Sequence, residues 1–243
     1  MYSCDARDQV ACTAAAKGWN GFEAPMPFYF AHAVKLSEQA LVVDVGANTG
    51  YYTLLATSVS KSVKVVAYEP LAAVRKVFLS NIKLNKIGGL VRVLPYALSN
   101  VSGMCTLFVP DATHGIIETS ASLSEGFKDG PGATVTIRRK MLDDVHTGRH
   151  RVGVLKVDAE SHDLEVLQGA ERVLLRDRPI VFVEVLLGAD QMGLTRLLTK
   201  CRYRDRVLRA EGATAANCRV AHDTLAWNHM WVPEERSDML AFA

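Results

Sequence analysis

The sequence predicts an α/β protein: a central, mostly parallel, seven-stranded sheet with helices on both faces, a C-terminal antiparallel hairpin and a small β-hairpin insertion. Three observations lead there. Apolar runs of strand length recur at Leu41–Val45, Val63–Tyr68, Leu90–Pro95, Val152–Val157 and Ile180–Val185. Segments with helical spacing of apolar residues lie between most of them, the pattern of parallel strands buried on both faces. A last pair of runs, Tyr203–Leu208 and Thr224–Val232, reads as an antiparallel pair on the same sheet.

Residues 1 to about 24 show no clear period, and Gly18-Trp19-Asn20-Gly21 reads as a loop. A helix is expected from Pro27 to Gln39, with Phe28, Ala31, Val34 and Lys35 near one face and Pro27 in the first turn. Residues 1–40 are therefore read as an N-terminal cap, and 41–243 as the main domain. After the strand Leu41–Val45 comes a loop with Gly46, Ala47 and Gly50, then a helix start at Tyr51. The strand Val63–Tyr68 ends in Glu69-Pro70. A helix from Leu71 to Leu84 follows, with Val74, Val77, Phe78 and Ile82 as its apolar side, closed by Asn85 and Gly88-Gly89. The third strand exits through Tyr96-Ala97-Leu98-Ser99-Asn100.

The pattern then changes. Met104–Val109 reads as a strand, Asp111–Ala133 is rich in Gly, Ser, Thr and Asp, and Thr134–Lys140 alternates. This stretch, about 102–140, is expected to be a hairpin insertion with a mobile tip, placed to close over substrate. Asp143-Asp144 read as a turn. Beyond the strand Val152–Val157 lie Asp158-Ala159-Glu160-Ser161. One helix is expected from His162 to Leu175, with Leu164, Leu167, Ala170 and Leu174 buried and Gly169 allowing close packing. Glu184 sits near the end of the next strand, and a helix is expected at Asp190–Lys200.

Composition narrows the class. At 243 residues with 49% hydrophobic and 22% charged residues, the chain can bury a large core and reads as a globular domain. A formal net charge of +2 argues against a nucleic-acid surface. Arg202, Arg204, Arg206 and Arg209 have spacing that fits the outward face of a strand, so a solvated edge is expected there. The five cysteines are scattered without a C-x-x-C pair, which suggests neither zinc nor disulfides and favours a reducing compartment. The N-terminal MYSCDARDQV carries acids and lacks the apolar core of a signal peptide. No apolar run approaches the ~20 residues of a membrane helix, so a cytoplasmic protein without a membrane span is expected.

The stretch LVVDVGANTGYY, Leu41 to Tyr52, organises the chemistry. A strand running through a glycine loop into a helix N-terminus is a nucleotide cradle: glycines let the backbone approach a ligand, and free N–H groups point at it. The spacing is G-x-N-x-G, and no glycine stands near Thr53 where a dinucleotide fingerprint needs its third. A strand-end acid before a single tight glycine loop suits S-adenosylmethionine (SAM), whose α-amino group and sulfonium are cationic and attracted by Asp44. Glu69 follows Gly50 by nineteen residues, the place from which an acid grips a ribose diol. The exit around Ala97 lies near the adenine end.

Four stretches, VVDVGANTGYYTLLA, AYEP, LKVDAESHDLEVLQGAERVL and IVFVEV, resemble in this order and spacing the FkbM family of SAM-dependent methyltransferases, over about Leu41 to Val185. The resemblance implies a Rossmann-like class I methyltransferase fold, and O-methylation of a hydroxyl on a sugar, polyketide or other small secondary metabolite, with S-adenosylhomocysteine (SAH) as product. It implies that Asp44, Gly46, Asn48, Gly50 and Glu69 hold SAM; Ala47, Tyr51, Pro70 and Ala97 complete the expected cofactor site. One departure stands out: the family often has Glu-Gly where this chain has Glu160-Ser161, which bears on the local loop shape. The flanks carry no family signature and are expected to set the acceptor.

Ligands of open α/β sheets bind at the carboxyl ends of the strands, which places Asp44, Glu69, Asp158, Glu160 and Glu184 around one crevice. Methyl transfer to a hydroxyl needs in-line alignment and a base for the proton. Asp158, Glu160 and His162 are the candidates. Asp158 is alternatively a helix N-cap, a role Ser161 fills equally well; Glu160 alternatively offsets the helix dipole; a first-turn His162 is alternatively a surface residue. His114, on the expected lid, is a weaker candidate. No metal is expected, but Asp158, Glu160 and Glu184 offer oxygens to Mg²⁺ as an alternative. No N-P-P-Y or D-P-P-Y turn, G-x-S-x-G elbow or Walker lysine occurs. Two other readings stay open: an NAD(P)-linked Rossmann oxidoreductase, disfavoured by the absence of Tyr-x-x-x-Lys, and a non-catalytic SAM-binding module.

Overall fold

The computed structural model describes residues 1, 2, 4, 7–37, 39–110, 121–123 and 132–240. The buried Asp8 accepts from the Ala11 N–H at 3.2 Å and starts helix α1 (Gln9–Lys17). A 3₁₀ turn at Trp19–Gly21 leads to α2 (Met26–Leu36), with Pro27 in its first turn. Then come β1 (Leu41–Val45), α3 (Tyr51–Val59), β2 (Lys64–Tyr68), α4 (Ala72–Leu84) and β3 (Val91–Leu94). The insertion holds β4 (Ala97–Leu98), β5 (Gly103–Pro110) and β6 (Gly132–Lys140), followed by the single turn α5 (Leu142–Val145). The second half runs β7 (Val152–Val157), α6 (Asp163–Gln168), α7 (Glu171–Asp177), β8 (Ile180–Glu184), α8 (Gln191–Lys200), β9 (Tyr203–Arg209), β10 (Gly212–Ala213) and β11 (Asn228–Pro233).

The main sheet has the order β10-β9-β11-β8-β7-β1-β2-β3. The pairs β2–β3, β1–β2, β1–β7 and β7–β8 are parallel, while β11 runs antiparallel to both β8 and β9. The seven expected strands are therefore joined by an eighth, two-residue strand, β10, at the edge. Side-chain alternation splits the core into two layers. On β1, Leu41, Val43 and Val45 pack with α6, α7 and α8 residues such as Leu167, Leu174 and Leu198. Val42 faces the other way, toward Phe30 and Val34 of α2 and Tyr52 of α3. The insertion forms its own three-stranded sheet, β4-β6-β5, with β5 and β6 antiparallel.

Several expectations are corrected. Helix α1 was not visible in the sequence, because only Val10 and Ala11 of its apolar residues are buried and two neighbours define no period. On α2 the buried face is Tyr29, Phe30, Ala33 and Val34, while Phe28 is 49% exposed. The helix expected over His162–Leu175 is broken at Gly169, where a Cβ would lie 2.0 Å from the Ser99 carbonyl oxygen. Asp143 does more than make a turn: its carboxylate accepts from the Arg172 and Val173 N–H groups at 2.8 and 3.0 Å and so caps α7. Strand β9 is interior, and Arg206 is buried on it, donating to the carbonyls of Thr214 and Ser237 at 2.9 Å each. Arg204 and Arg202 pair with Glu234, and Arg209 with Asp223, as surface ion pairs. The lid tip and His114 lie outside the described residues. Among the described residues, no helix is long and apolar enough to cross a membrane.

Candidate active site

The loop between β1 and α3 takes its shape from left-handed backbone at Gly46 (φ 67°), Asn48 (φ 52°) and Gly50 (φ 95°). Asparagine tolerates this region better than other side-chain-bearing residues. At Gly46 the need is absolute, since a Cβ would stand 1.8 Å from the Asp158 carbonyl oxygen; at Gly50 it would meet the Phe78 ring at 2.2 Å. The loop is tied to the end of β2. The Asn48 N–H donates to Glu69 Oε2 at 3.0 Å, and the Leu71 N–H donates to Glu69 Oε1 at 2.8 Å. Arg75 donates to the carbonyls of Glu69 and Pro70 at 2.9 Å each. Burial pushes the Glu69 carboxyl up to about 7, opposed by the two N–H donors.

One cavity collects most of the predicted residues. Gly46, Asn48, Glu69, Pro70 and Ala97 line it together with Asp158, Glu160 and His162. Leu107 of β5 and Ala121 and Leu123 of the insertion form part of its wall. Four predicted cofactor residues are not in that lining. Ala47 and Gly50 support the loop from behind, Ala47 in a small core cluster with Ala67 and Phe78. Tyr51 turns to a separate groove among α1, α2 and α3, beside Trp19, Phe28 and His32. Asp44 is fully buried on the α2–α3 side of the sheet, where its Oδ2 accepts from the Thr53 hydroxyl at 2.7 Å. Its Oδ1 has no hydrogen-bond partner among the described residues. Burial raises the Asp44 pKa, against the opposing pull of Lys156.

The acids after β7 differ in their surroundings. Asp158 is 29% exposed and its Oδ2 accepts from Lys156 Nζ at 2.9 Å. Glu160 and Ser161 both adopt left-handed backbone, φ 51° and 70°, and the Glu160 carbonyl accepts from the Ser122 hydroxyl at 2.5 Å. Neither Asp158 nor Ser161 caps the next helix. His162 stands at the N-cap position without a side-chain cap, and Asp163 accepts from the Ala159 N–H at 3.0 Å, closing the turn. Burial, reinforced by Asp158, pushes Asp163 up to about 7. His162 is pinned: its Nε2 lies 3.0 Å from Ser99 Oγ and its Nδ1 3.6 Å from Glu165. Burial lowers its pKa. Glu184 borders an adjoining crevice with Ser161, Asp163 and Asp190. Burial, then the neighbouring charges of Asp158 and Asp163, push its carboxyl up to about 9. Among the described residues, no three His, Cys, Asp or Glu side chains are arranged to hold a metal ion, so the Mg²⁺ alternative finds no support.

Sequence reasoning missed three residues packed behind the cavity. Lys156 is 3% exposed and sits beside Asp44 as its register partner on the neighbouring strand. Its one signal was being the lone charge in VGVLKV. Tyr52 places its ring under Lys156 Nζ, 5.1 Å from centroid to nitrogen. Glu23, from the N-terminal segment, accepts from the Tyr52 hydroxyl at 2.7 Å, and burial pushes its carboxyl up to about 7. No local pattern marked Glu23.

Known proteins share the sequence pattern and the fold. The Methyltransferase FkbM domain model matches residues 44–205. The chain is 30% identical over 173 residues to the hexuronic acid methyltransferase AglP of Haloferax volcanii, covering 70% of this chain and 66% of that protein. It is 29% identical over 168 residues to the 31-O-demethyl-FK506 methyltransferase FkbM of Streptomyces tacrolimicus, covering 59% and 64% respectively. The chain thus spans about two thirds of the length of these curated relatives. In fold it resembles the crystal structure of methyltransferase FkbM from Methylobacillus flagellatus, with a TM-score of 0.54 at 16% identity, over 79% of this chain and 43% of that one. A Rossmann-like sheet, a glycine loop tied to a strand-end acid, and a family match over most of the chain lead to one assignment: this protein belongs to the FkbM methyltransferase family.

Proposed function

We propose that the chain is a SAM-dependent O-methyltransferase acting on a hydroxyl of a small metabolite, a sugar or a polyketide-type product. The observation that carries this reading is that Gly46, Asn48 and Glu69 share one cavity with Asp158. The residues present fit an adenosyl group. The glycine loop leaves no space for a side chain at Gly46, and Glu69 presents a buried carboxylate at the end of β2 for a ribose diol. The acids Glu69, Asp158 and Glu160 in the cavity lining suit a donor with a cationic amino group and a sulfonium.

When bound, SAM would supply the methyl group and depart as the neutral thioether SAH. The chain's own contribution would be to align the acceptor hydroxyl and to take up its proton. Asp158 is the favoured base, because it lines the cavity while His162 Nε2 is held by the Ser99 hydroxyl. The pinned His162 then shapes the wall. The name of one relative, a 31-O-demethyl-FK506 methyltransferase, supports an oxygen acceptor, and that of the other, a hexuronic acid methyltransferase, supports a sugar-type substrate.

The test is calorimetric titration with SAM, SAH and NAD, followed by transfer of labelled methyl from SAM to a panel of hydroxyl compounds. SAM and SAH are expected to bind and NAD not; binding of NAD alone overturns the proposal. A methylated nitrogen instead of oxygen in the product overturns the choice of acceptor atom.

A further inference from the structure

Lys156 is an ammonium inside an otherwise apolar strand, and an unpaired charge there would cost several kcal/mol. Four elements meet it. Its Nζ lies 2.9 Å from Asp158 Oδ2 just past the end of the same strand and 3.3 Å from the Gly46 carbonyl oxygen on the β1 loop. The Tyr52 ring of α3 lies beneath it, and Asp44 is its neighbour across the strands. Glu23 approaches from the N-terminal segment through Tyr52. Burial alone would drive the ammonium toward its neutral form; the charges of Asp158, Asp44 and Glu23 outweigh burial and keep it protonated.

Both groups that Lys156 bonds border the cavity, while Lys156 itself does not. We infer that Lys156 is a positioning residue: its ammonium ties the cofactor loop at Gly46 to the strand-end acid Asp158, and its charge balances the inner carboxylates so that the site accepts SAH as well as SAM. This rests on the SAM reading above. Two consequences follow from charge and geometry. Without the ammonium, the Gly46 carbonyl loses its tether and the loop loosens, which weakens every adenosyl ligand. The inner wall also becomes more negative, which favours the cationic sulfonium of SAM over the neutral thioether of SAH.

The experiment is calorimetric titration of SAM and SAH at pH 8 with the wild type, Lys156→Met and Lys156→Arg, each checked for folding by thermal unfolding. Lys156→Met is expected to weaken SAH about tenfold and SAM about threefold or less, so the preference for SAM rises at least threefold. Lys156→Arg, which keeps the cation, is expected to stay within about threefold of the wild type for both ligands, with the preference unchanged. If Lys156→Met does not fold, Lys156→Gln is read in its place with the same expectations. Unchanged SAH affinity in a folded Lys156→Met, or an equal loss for SAM and SAH, overturns the inference, since a packing role weakens both alike. A wild type that binds neither ligand refutes the proposed function instead.

Discussion

Gly46 and the Asp158 carbonyl are in such close approach that a Cβ on Gly46 would lie 1.8 Å from that oxygen. The start of the loop between β1 and α3 and the start of the loop after β7 are thus one contact. Gly46 also has φ of 67°, so any side chain is strained there. Gly46→Ala is expected to destabilise the protein by about 3 kcal/mol and to abolish measurable SAH binding. Thermal unfolding and calorimetry check both; a variant with wild-type melting and affinity would show that the two loops do not touch in this way.

Glu69 holds the Asn48 and Leu71 N–H groups and faces the cavity. Glu69→Ala removes a charge-assisted pair of hydrogen bonds and should weaken SAH binding by about 2–3 kcal/mol. Titration of SAH into the variant decides it, and unchanged affinity removes the ribose role from Glu69.

Asp158→Asn keeps the shape of the side chain and removes its basicity. SAH affinity should stay within about threefold, while kcat with any accepted hydroxyl compound falls at least about a hundredfold, the scale of general-base catalysis. A normal kcat would take Asp158 out of the proton transfer.

Glu184 is pushed up to about 9 by burial and by the charges of Asp158 and Asp163. A carboxyl raised on folding favours the folded state below its unfolded pKa of roughly 4.3, and that contribution is lost as pH rises through the folded value. Glu184→Gln removes this pH dependence. The variant should match the wild type near pH 5 and gain on the order of 2 kcal/mol over it by pH 8. Unfolding curves at both pH values check the sign; a gap that shrinks toward alkaline pH would contradict it.

The core strands were legible because each is a mostly apolar run of strand length, and four of the five parallel ones carry an acid at or near the carboxyl end, as in LVVDV and VGVLKVD. Helix α4 was legible because Val74, Val77, Phe78 and Ile82 keep one helical face. The break between α6 and α7 was not, because the apolar stripe continues through Leu167, Ala170 and Leu174 while the cause, the Ser99 backbone, lies seventy residues upstream of Gly169. The same rule divides the site. Residues of the strand-end motifs, such as Gly46 and Asn48 after β1 and Asp158 after β7, were found and share the cavity. Leu107 and Leu123 line it, Ser99 bonds His162 in its wall and Glu23 bonds Tyr52 behind it, all through chain crossings that no local spacing encodes. Tyr51 shows the converse: adjacency in the motif carried it into the expected set, but the helical turn directs its ring to the other groove.

The Ala213 N–H donates to the Tyr29 hydroxyl at 2.8 Å, so the two-residue edge strand β10 is met by helix α2. An open sheet margin invites a foreign strand to add itself. Here Tyr29 occupies a donor at that margin, so α2 covers part of a border otherwise open to pairing while its Phe30, Ala33 and Val34 fill the core beneath the sheet. Loss of α2 would therefore bare the border and hollow the core together.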